Sequence, residues 1–306
     1  MSGDVAARPQ PIVPETLDIG RQRLSARHVE GAPAGAETAV LVHGLGQSTT
    51  DWLGVLPLLG GALDAWALDL PGHGDSPAAP DGDYTPTAHA RALVAAITRL
   101  GAPVHLAGNS LGGLVALIVA ARRPDLVRTL TLVSPALPRR VPTRSGLGLM
   151  VLATPRLGDR LAAAGARRPP ERRARELLEI IFAEPSLVTD EQLAALADEI
   201  ATHSALPHAG PAFLGSLRGL VRTHLLQNRL VWQLGREVSA PVLVLYGGRD
   251  KLVSAHASRR ARRAFPGATV RVDPTAGHIP QREHPEVFAD LFLAHTGALP
   301  RAQEQP

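Results

Sequence analysis

Cysteine is absent from the 306 residues, so no disulfide and no thiolate metal site can form, and the redox compartment is left open. Lysine is nearly absent too. Lys251 is the single one, and arginine supplies the rest of the 32 basic side chains. Against 28 acidic residues these leave a formal net charge of only +4, so the sequence pI of 10.4 reflects arginine usage more than a charge excess. Aromatic residues make up 3%, too few to interleave with the arginines as base-stacking platforms, and nucleic acid is not an expected partner. No run of about 18 apolar residues occurs, so no membrane span is expected. The first residues, MSGDVAARPQPIVPE, carry acid and prolines where a secretory leader needs an apolar stretch, which makes the cytoplasm the expected compartment. The remaining composition, 45% hydrophobic and 20% charged, is that of a soluble globular chain long enough for one α/β domain with an insertion, or for two smaller domains.

What is present is organised around Val104 to Ala120, VHLAGNSLGGLVALIVA. A short apolar run with a β-branched start is interrupted by Gly108-Asn109-Ser110-Leu111-Gly112 and followed by an apolar run of helical length, which predicts strand, sharp turn, helix. The turn matches G-x-S-x-G, in which a serine is held on a strained turn with its hydroxyl exposed above the sheet. Gly108 and Gly112 are needed because side chains two residues either side of the serine would collide as the chain doubles back. Ser110 then sits at a helix N-terminus, where unpaired N–H groups and the helix dipole favour a developing negative charge. Three fixed letters occur often by chance, and taken alone the serine is as well read as a helix cap.

The rest of the chain supplies context. Residues 1–14 read as a loose arm. Glu15 to Glu30 alternates as two short strands, Thr38 to Val42 and Ala65 to Asp69 are compact buried strands, and Trp52 to Leu63 has helical spacing. Ala88 to Leu100 is an amphipathic helix, and Val127 to Val133 is the strand after the elbow helix. Strands alternating with helices predict a parallel sheet covered on both faces. From Pro135 to Val238 no strand is visible. Helical stretches at Glu171 to Phe182, Asp190 to His203 and Phe213 to Leu226 are separated by prolines. Strand logic resumes at Pro241 to Tyr246 and Thr269 to Val272, with a helix from Pro285 to His295. The expected organisation is therefore a core of residues 15–134 and 239–296, a helical lid of 135–238 inserted between two strands, and a disordered tail of 297–306.

In an open parallel sheet functional groups collect at the carboxyl ends of the strands. Four such ends carry His43-Gly44-Leu45-Gly46, Ser110, Gly247-Gly248-Arg249-Asp250 and Gly277-His278. With HGLG, DLPGHGDS, GNSLGG, GGRD and AGHIPQREHP in this order, the chain resembles the α/β-hydrolase fold family over roughly residues 16–295, in its serine-nucleophile branch with a helical lid. The resemblance implies a mostly parallel central sheet with helices on both faces. It also implies Ser110 as nucleophile, His278 as general base and Asp250 as the acid that orients it. The backbone N–H groups of Leu45 and Leu111 would form the oxyanion hole, with both side chains expected to face the pocket, and His43, Gly44, Gly108, Asn109 and Gly112 would support the site. Asp250 has a rival role as a helix cap, and His278 has His284 and His295 as competitors. His284 precedes a proline at a helix start and reads as structural, whereas His278 follows glycine in the loop after the last strand. His43 reads as shaping the oxyanion loop, His73 as part of a structural turn. His89, His105, His203, His208 and His224 lack metal-ligand spacing, and neither metal nor cofactor is expected.

Serine rather than aspartate at the elbow separates the chain from epoxide hydrolases and haloalkane dehalogenases and implies an acyl-serine intermediate. An ester is the most economical substrate, because the leaving alkoxide needs one proton from His278 and no cofactor takes part. Apolar stretches at Gly146 to Ala153 and Phe213 to Leu226 would make it hydrophobic if they line the pocket, although such stretches also serve as lid core. Alternatives are hydrolysis of carbon–carbon bonds in ring-cleavage products, for which Asn109 beside the serine speaks, acyl transfer, perhydrolysis, and a non-catalytic ligand-binding protein. The pairs Arg259-Arg260 and Arg262-Arg263 read as a solvated helix face that an acidic partner or lipid surface could use.

Overall fold

The computed structural model describes residues 10–138 and 143–298. Eight strands form one sheet: β1 (Ile12–Asp18), β2 (Arg23–Val29), β3 (Glu37–Val42), β4 (Leu63–Leu68), β5 (Val104–Asn109), β6 (Val127–Val133), β7 (Val242–Gly247) and β8 (Thr269–Asp273). Their spatial order is β1-β2-β4-β3-β5-β6-β7-β8. β1 and β2 pair antiparallel and β2 joins β4 antiparallel, while every pairing from β4 to β8 is parallel. The first strand begins at Ile12, inside the stretch expected to be a loose arm. Most of the expected tail lies outside the described residues.

Strand periodicity sorts the core into two layers. Along β3, Val40 and Val42 enter one apolar cluster while Ala39 and Leu41 enter the other, and on β5 Leu106 and Ala107 divide likewise. One face is covered by α2 (Pro86–Leu100) and α3 (Leu111–Arg122), the other by α1 (Leu56–Leu59) and by Phe288, Ala289, Phe292 and Leu293 near the chain's end. On α3 the side chains of Leu111, Leu114, Val115 and Leu117 are fully buried, worth about 1.5–3 kcal/mol each in apolar burial. The helix spacing of Trp52 to Leu63 does not become one helix. A 3-10 turn at Thr49–Trp52 is followed by the single turn of α1, because Gly54 interrupts, Pro57 restarts, and Gly60-Gly61 ends it.

Between β6 and β7 lie α4 (Arg144–Leu152), α5 (Leu157–Ala166), α6 (Pro170–Ile181), α7 (Asp190–Ser204), α8 (Ala209–Leu226) and α9 (Asn228–Glu237). α6 and α7 have a small core of their own, made of Ala174, Leu178, Leu193, Leu196 and Ala197. α8 is tied to the sheet layer instead. Leu220 joins the main cluster and Ser216 bonds His89 of α2 at 2.9 Å. The chain closes with α10 (Ala257–Ala264), α11 (Pro280–Glu283) and α12 (Pro285–Thr296). Among the described residues no helix is long and apolar enough to cross a membrane.

Candidate active site

β5 delivers Ser110 into a backbone conformation, φ 52° and ψ −113°, that side-chain-bearing residues rarely adopt. The surroundings hold it there. Its N–H donates to the Val133 carbonyl at 2.9 Å, and its own carbonyl accepts from the N–H groups of Leu114 at 3.2 Å and Ala136 at 2.9 Å. A Cβ on Gly108 would strike the Gly112 carbonyl, and one on Gly112 would strike the carbonyls of Val42 and His43, which is the collision expected from the motif. Gly44 is confined as well: a Cβ there would strike the side-chain oxygens of Gln47 and Asn109 and lie 3.3 Å from that of Ser110. The serine is half-exposed while Asn109 beside it is fully buried.

Asp250 and His278 meet after β7 and β8. The Asp250 Oδ2 accepts from His278 Nδ1 at 2.8 Å, and Oδ1 accepts from the N–H groups of Leu252 at 2.7 Å and Val253 at 2.8 Å. Both side chains are essentially removed from solvent. With Nδ1 committed to Asp250, Nε2 is the nitrogen left to act on a neighbour. Asn109 ties the two halves together, donating from Nδ2 to the Val133 carbonyl at 3.2 Å and the His278 carbonyl at 3.1 Å. His284 is occupied elsewhere, with Nδ1 on Asp273 at 2.7 Å. His295 is half-buried, and burial lowers its pKa.

The loop after β3 is fixed by His43, whose Nδ1 donates to the Gly44 carbonyl at 2.7 Å while Nε2 accepts from the Leu70 N–H at 3.0 Å. These two partners select the tautomer, and burial, with His73 nearby adding to the effect, lowers the pKa to about 3 and so keeps the ring neutral. Asp69 staples the same region, accepting from Thr49 N–H at 2.7 Å and Asp75 N–H at 3.0 Å. The Leu111 N–H, in the first turn of α3, has no intrahelical acceptor. The Leu111 side chain does not face the pocket as expected: it is fully buried in the main apolar cluster, against which the half-buried Leu45 also packs.

A cavity of about 420 Å³ adjoins this loop through Gly46 and Gln47, and its walls do not include Ser110 or His278. Leu152, Leu177, Leu196, Ile200 and Phe213 supply apolar walls, so each of the two apolar stretches contributes one residue, Leu152 and Phe213. Asp51, Arg173, Glu199, His203 and Arg282 supply polar ones. Asp51 is 1% exposed, bonded by Gln47 at 3.3 Å and paired with Arg282 at 3.5 Å, and burial raises its pKa to about 7 against the pull of the arginine. Glu199 accepts from Ser48 at 2.5 Å and Thr50 at 2.9 Å. No sequence signal marks Asp51 or Glu199, since their setting is created by tertiary burial alone.

The helical insertion grips the site. His278 N–H donates to the Ile181 carbonyl at 2.7 Å, and Glu283 accepts from Ala183 N–H at 2.8 Å and Gly277 N–H at 2.7 Å. Lys251 Nζ donates to the Glu179 carbonyl at 2.6 Å and Arg249 pairs with Glu184. The end of α6 is thus bound to the loops that carry both Asp250 and His278.

A sequence profile of the alpha/beta hydrolase fold matches residues 39–285. The chain is 32% identical over 86% of its length to the dihydrolipoyllysine-residue acetyltransferase component of an acetoin cleaving system from Cupriavidus necator, and spans 64% of that relative. It is 30% identical over 87% of its length to a pimeloyl-(acyl-carrier protein) methyl ester esterase of Neisseria meningitidis, covering 96% of that protein. The crystal structure of Cfl2 from Burkholderia cenocepacia superposes with a TM-score of 0.78 at 24% identity, covering 94% of this chain and 96% of the other. By sheet order, by elbow geometry and by these likenesses, the chain belongs to the α/β-hydrolase fold family.

Proposed function

We propose that the protein is a serine hydrolase that cleaves a small to medium, hydrophobic carboxylic ester through an acyl-serine intermediate. The observation that carries the proposal is the buried Asp250–His278 pair at 2.8 Å, joined through Asn109 to a serine held at φ 52°. Ser110 Oγ attacks the ester carbonyl carbon as its proton passes to His278 Nε2. The C–O π electrons move onto oxygen, which the Leu45 and Leu111 N–H groups stabilise. Collapse breaks the ester C–O bond, and the departing alkoxide takes the proton from His278. Water then attacks the acyl carbon with His278 again as base, releasing the acid and restoring Ser110. Asp250 keeps Nδ1 protonated throughout and stabilises the imidazolium. The helices between β6 and β7 act as the lid, with the 420 Å³ cavity taking the apolar part of the ester. The relative named as a methyl ester esterase supports this chemistry, and no cofactor is required.

The test is a fluorophosphonate probe read by intact-mass spectrometry, beside a p-nitrophenyl ester series of increasing acyl length. One adduct on the native chain, none on Ser110→Ala, and turnover that peaks at one chain length are expected. A folded native protein that takes no adduct and turns over no ester would refute the proposal and favour the non-catalytic reading.

A further inference from the structure

We propose that the cleft between α9 and α10 is a docking site for an acidic, amphipathic helix of a partner protein. The cleft measures about 740 Å³ and is lined by five guanidinium groups, Arg229 and Arg236 from α9 and Arg259, Arg260 and Arg263 from α10, with no carboxylate among its lining residues. These five positive charges exceed the +4 of the entire chain. Arg260 is anchored, stacking 4.3 Å over Trp232 and donating to Asn228 at 3.1 Å. The side chains of Arg229, Arg236, Arg259 and Arg263 form no ion pair among the described residues. Like charges at helix spacing repel, and a bound carboxylate would relieve that repulsion.

The spacing fits a helix. Arg229 and Arg236 lie seven residues apart, about 10 Å along the axis, and Arg259 and Arg263 four apart, about 6 Å, which are the intervals at which a helix presents carboxylates at i, i+4 and i+7. Guanidinium forks bind carboxylates bidentately, so the arginine-for-lysine bias of the chain suits this use. A second observation selects protein over a small polyanion. At the α8–α9 junction, next to Arg229 in the chain, Leu225, Leu226 and Leu230 are 64%, 71% and 58% exposed, large apolar side chains that an amphipathic helix reaching past the cleft would cover. The concave shape favours an inserted helix over a lipid surface, which would meet arginines on a flat or convex face. The site stands independently of the triad.

The test uses a fluorescein-labelled peptide of about 20 residues, long enough to hold a helix in water, with glutamates at i, i+4 and i+7 and leucines on the adjoining face. The comparison is a scrambled peptide of the same composition. Fluorescence anisotropy should give saturable binding that weakens with added salt and is at least about tenfold weaker for the scrambled sequence. Arg236→Glu with Arg263→Glu should abolish binding, and Leu226→Ser with Leu230→Ser should weaken it about tenfold, both proteins keeping the native circular dichroism because these side chains are exposed. Equal binding of both peptides, unchanged affinity in either double variant, or binding to phosphatidylglycerol vesicles without binding to the helical peptide would overturn the proposal.

Discussion

At the scale of single residues the site is defined by backbone geometry as much as by functional groups. Ser110 is held at φ 52° by bonds to Val133, Leu114 and Ala136, a conformation costing a side-chain-bearing residue about 1–3 kcal/mol. Ser110→Ala and Ser110→Gly both remove the hydroxyl, but only glycine escapes the strain. The glycine variant is therefore expected to melt about 2–4 °C above the alanine variant, a difference of about 1 kcal/mol after the added chain entropy of glycine. Equal melting temperatures by circular dichroism would show that the elbow is not strained. The places of Ser110, Asp250 and His278 beyond strand ends were legible because each follows an apolar strand and a glycine, a local signature of a strand's carboxyl end. The Leu111 side chain was not legible as a core residue, because the motif concerns its backbone N–H while its burial depends on the helices packed over α3. Asp51 was invisible, since only the folded chain buries its carboxylate and so raises its pKa to about 7 against the pull of Arg282.

At the scale of elements, strands and the long helices could be read from periodicity, whereas α10 could not. Its buried face consists of Ala261 and Ala264, too weak a hydrophobic signal to stand out among four arginines. Nor could the sequence reveal that the end of α6 is fastened to the loops of Asp250 and His278, because the partners are more than sixty residues apart. Glu283 is the centre of that fastening. Its carboxylate receives one N–H from Ala183 in the insertion and one from Gly277 beside His278, and its pKa is raised by burial. Glu283→Ala should leave both N–H groups unpaired and let the His278 loop drift from Asn109. The expected result is a fall in kcat of about tenfold or more with KM changed less, and a melting temperature lower by about 2–6 °C. Glu283→Gln, which keeps one acceptor, should lie between. A variant with lower stability but native kcat would restrict Glu283 to a purely structural role.

Over the whole molecule, burial has produced two opposing sets of titrating groups. His43 and His73 are lowered to about 3 and about 4, His89 well below its ordinary value, and His105, His224 and His295 are lowered too, in each case mainly by burial. Between about pH 4 and 6.5 these histidines take up protons in the unfolded chain but resist them in the folded one, so their contribution to stability falls as pH drops through that window. Asp51, Asp69 and Glu283 act in the opposite sense. Burial raises them, to about 7 and about 6 for the two aspartates, so the folded chain holds protons that the unfolded chain has released, and their contribution grows on acidification. With six lowered histidines set against three raised carboxyl groups, the unfolded chain is expected to be the net proton acceptor. The melting temperature should therefore be lower at pH 5 than at pH 7.5, by about 5 °C if the imbalance amounts to about one proton. Asp51→Asn removes one opposing group and should steepen the loss, whereas His43→Gln removes one histidine and should make it shallower. Thermal melts of the three proteins across this range decide the matter, because a native curve that is flat, or a steeper one in His43→Gln, would mean that these buried groups do not govern acid stability.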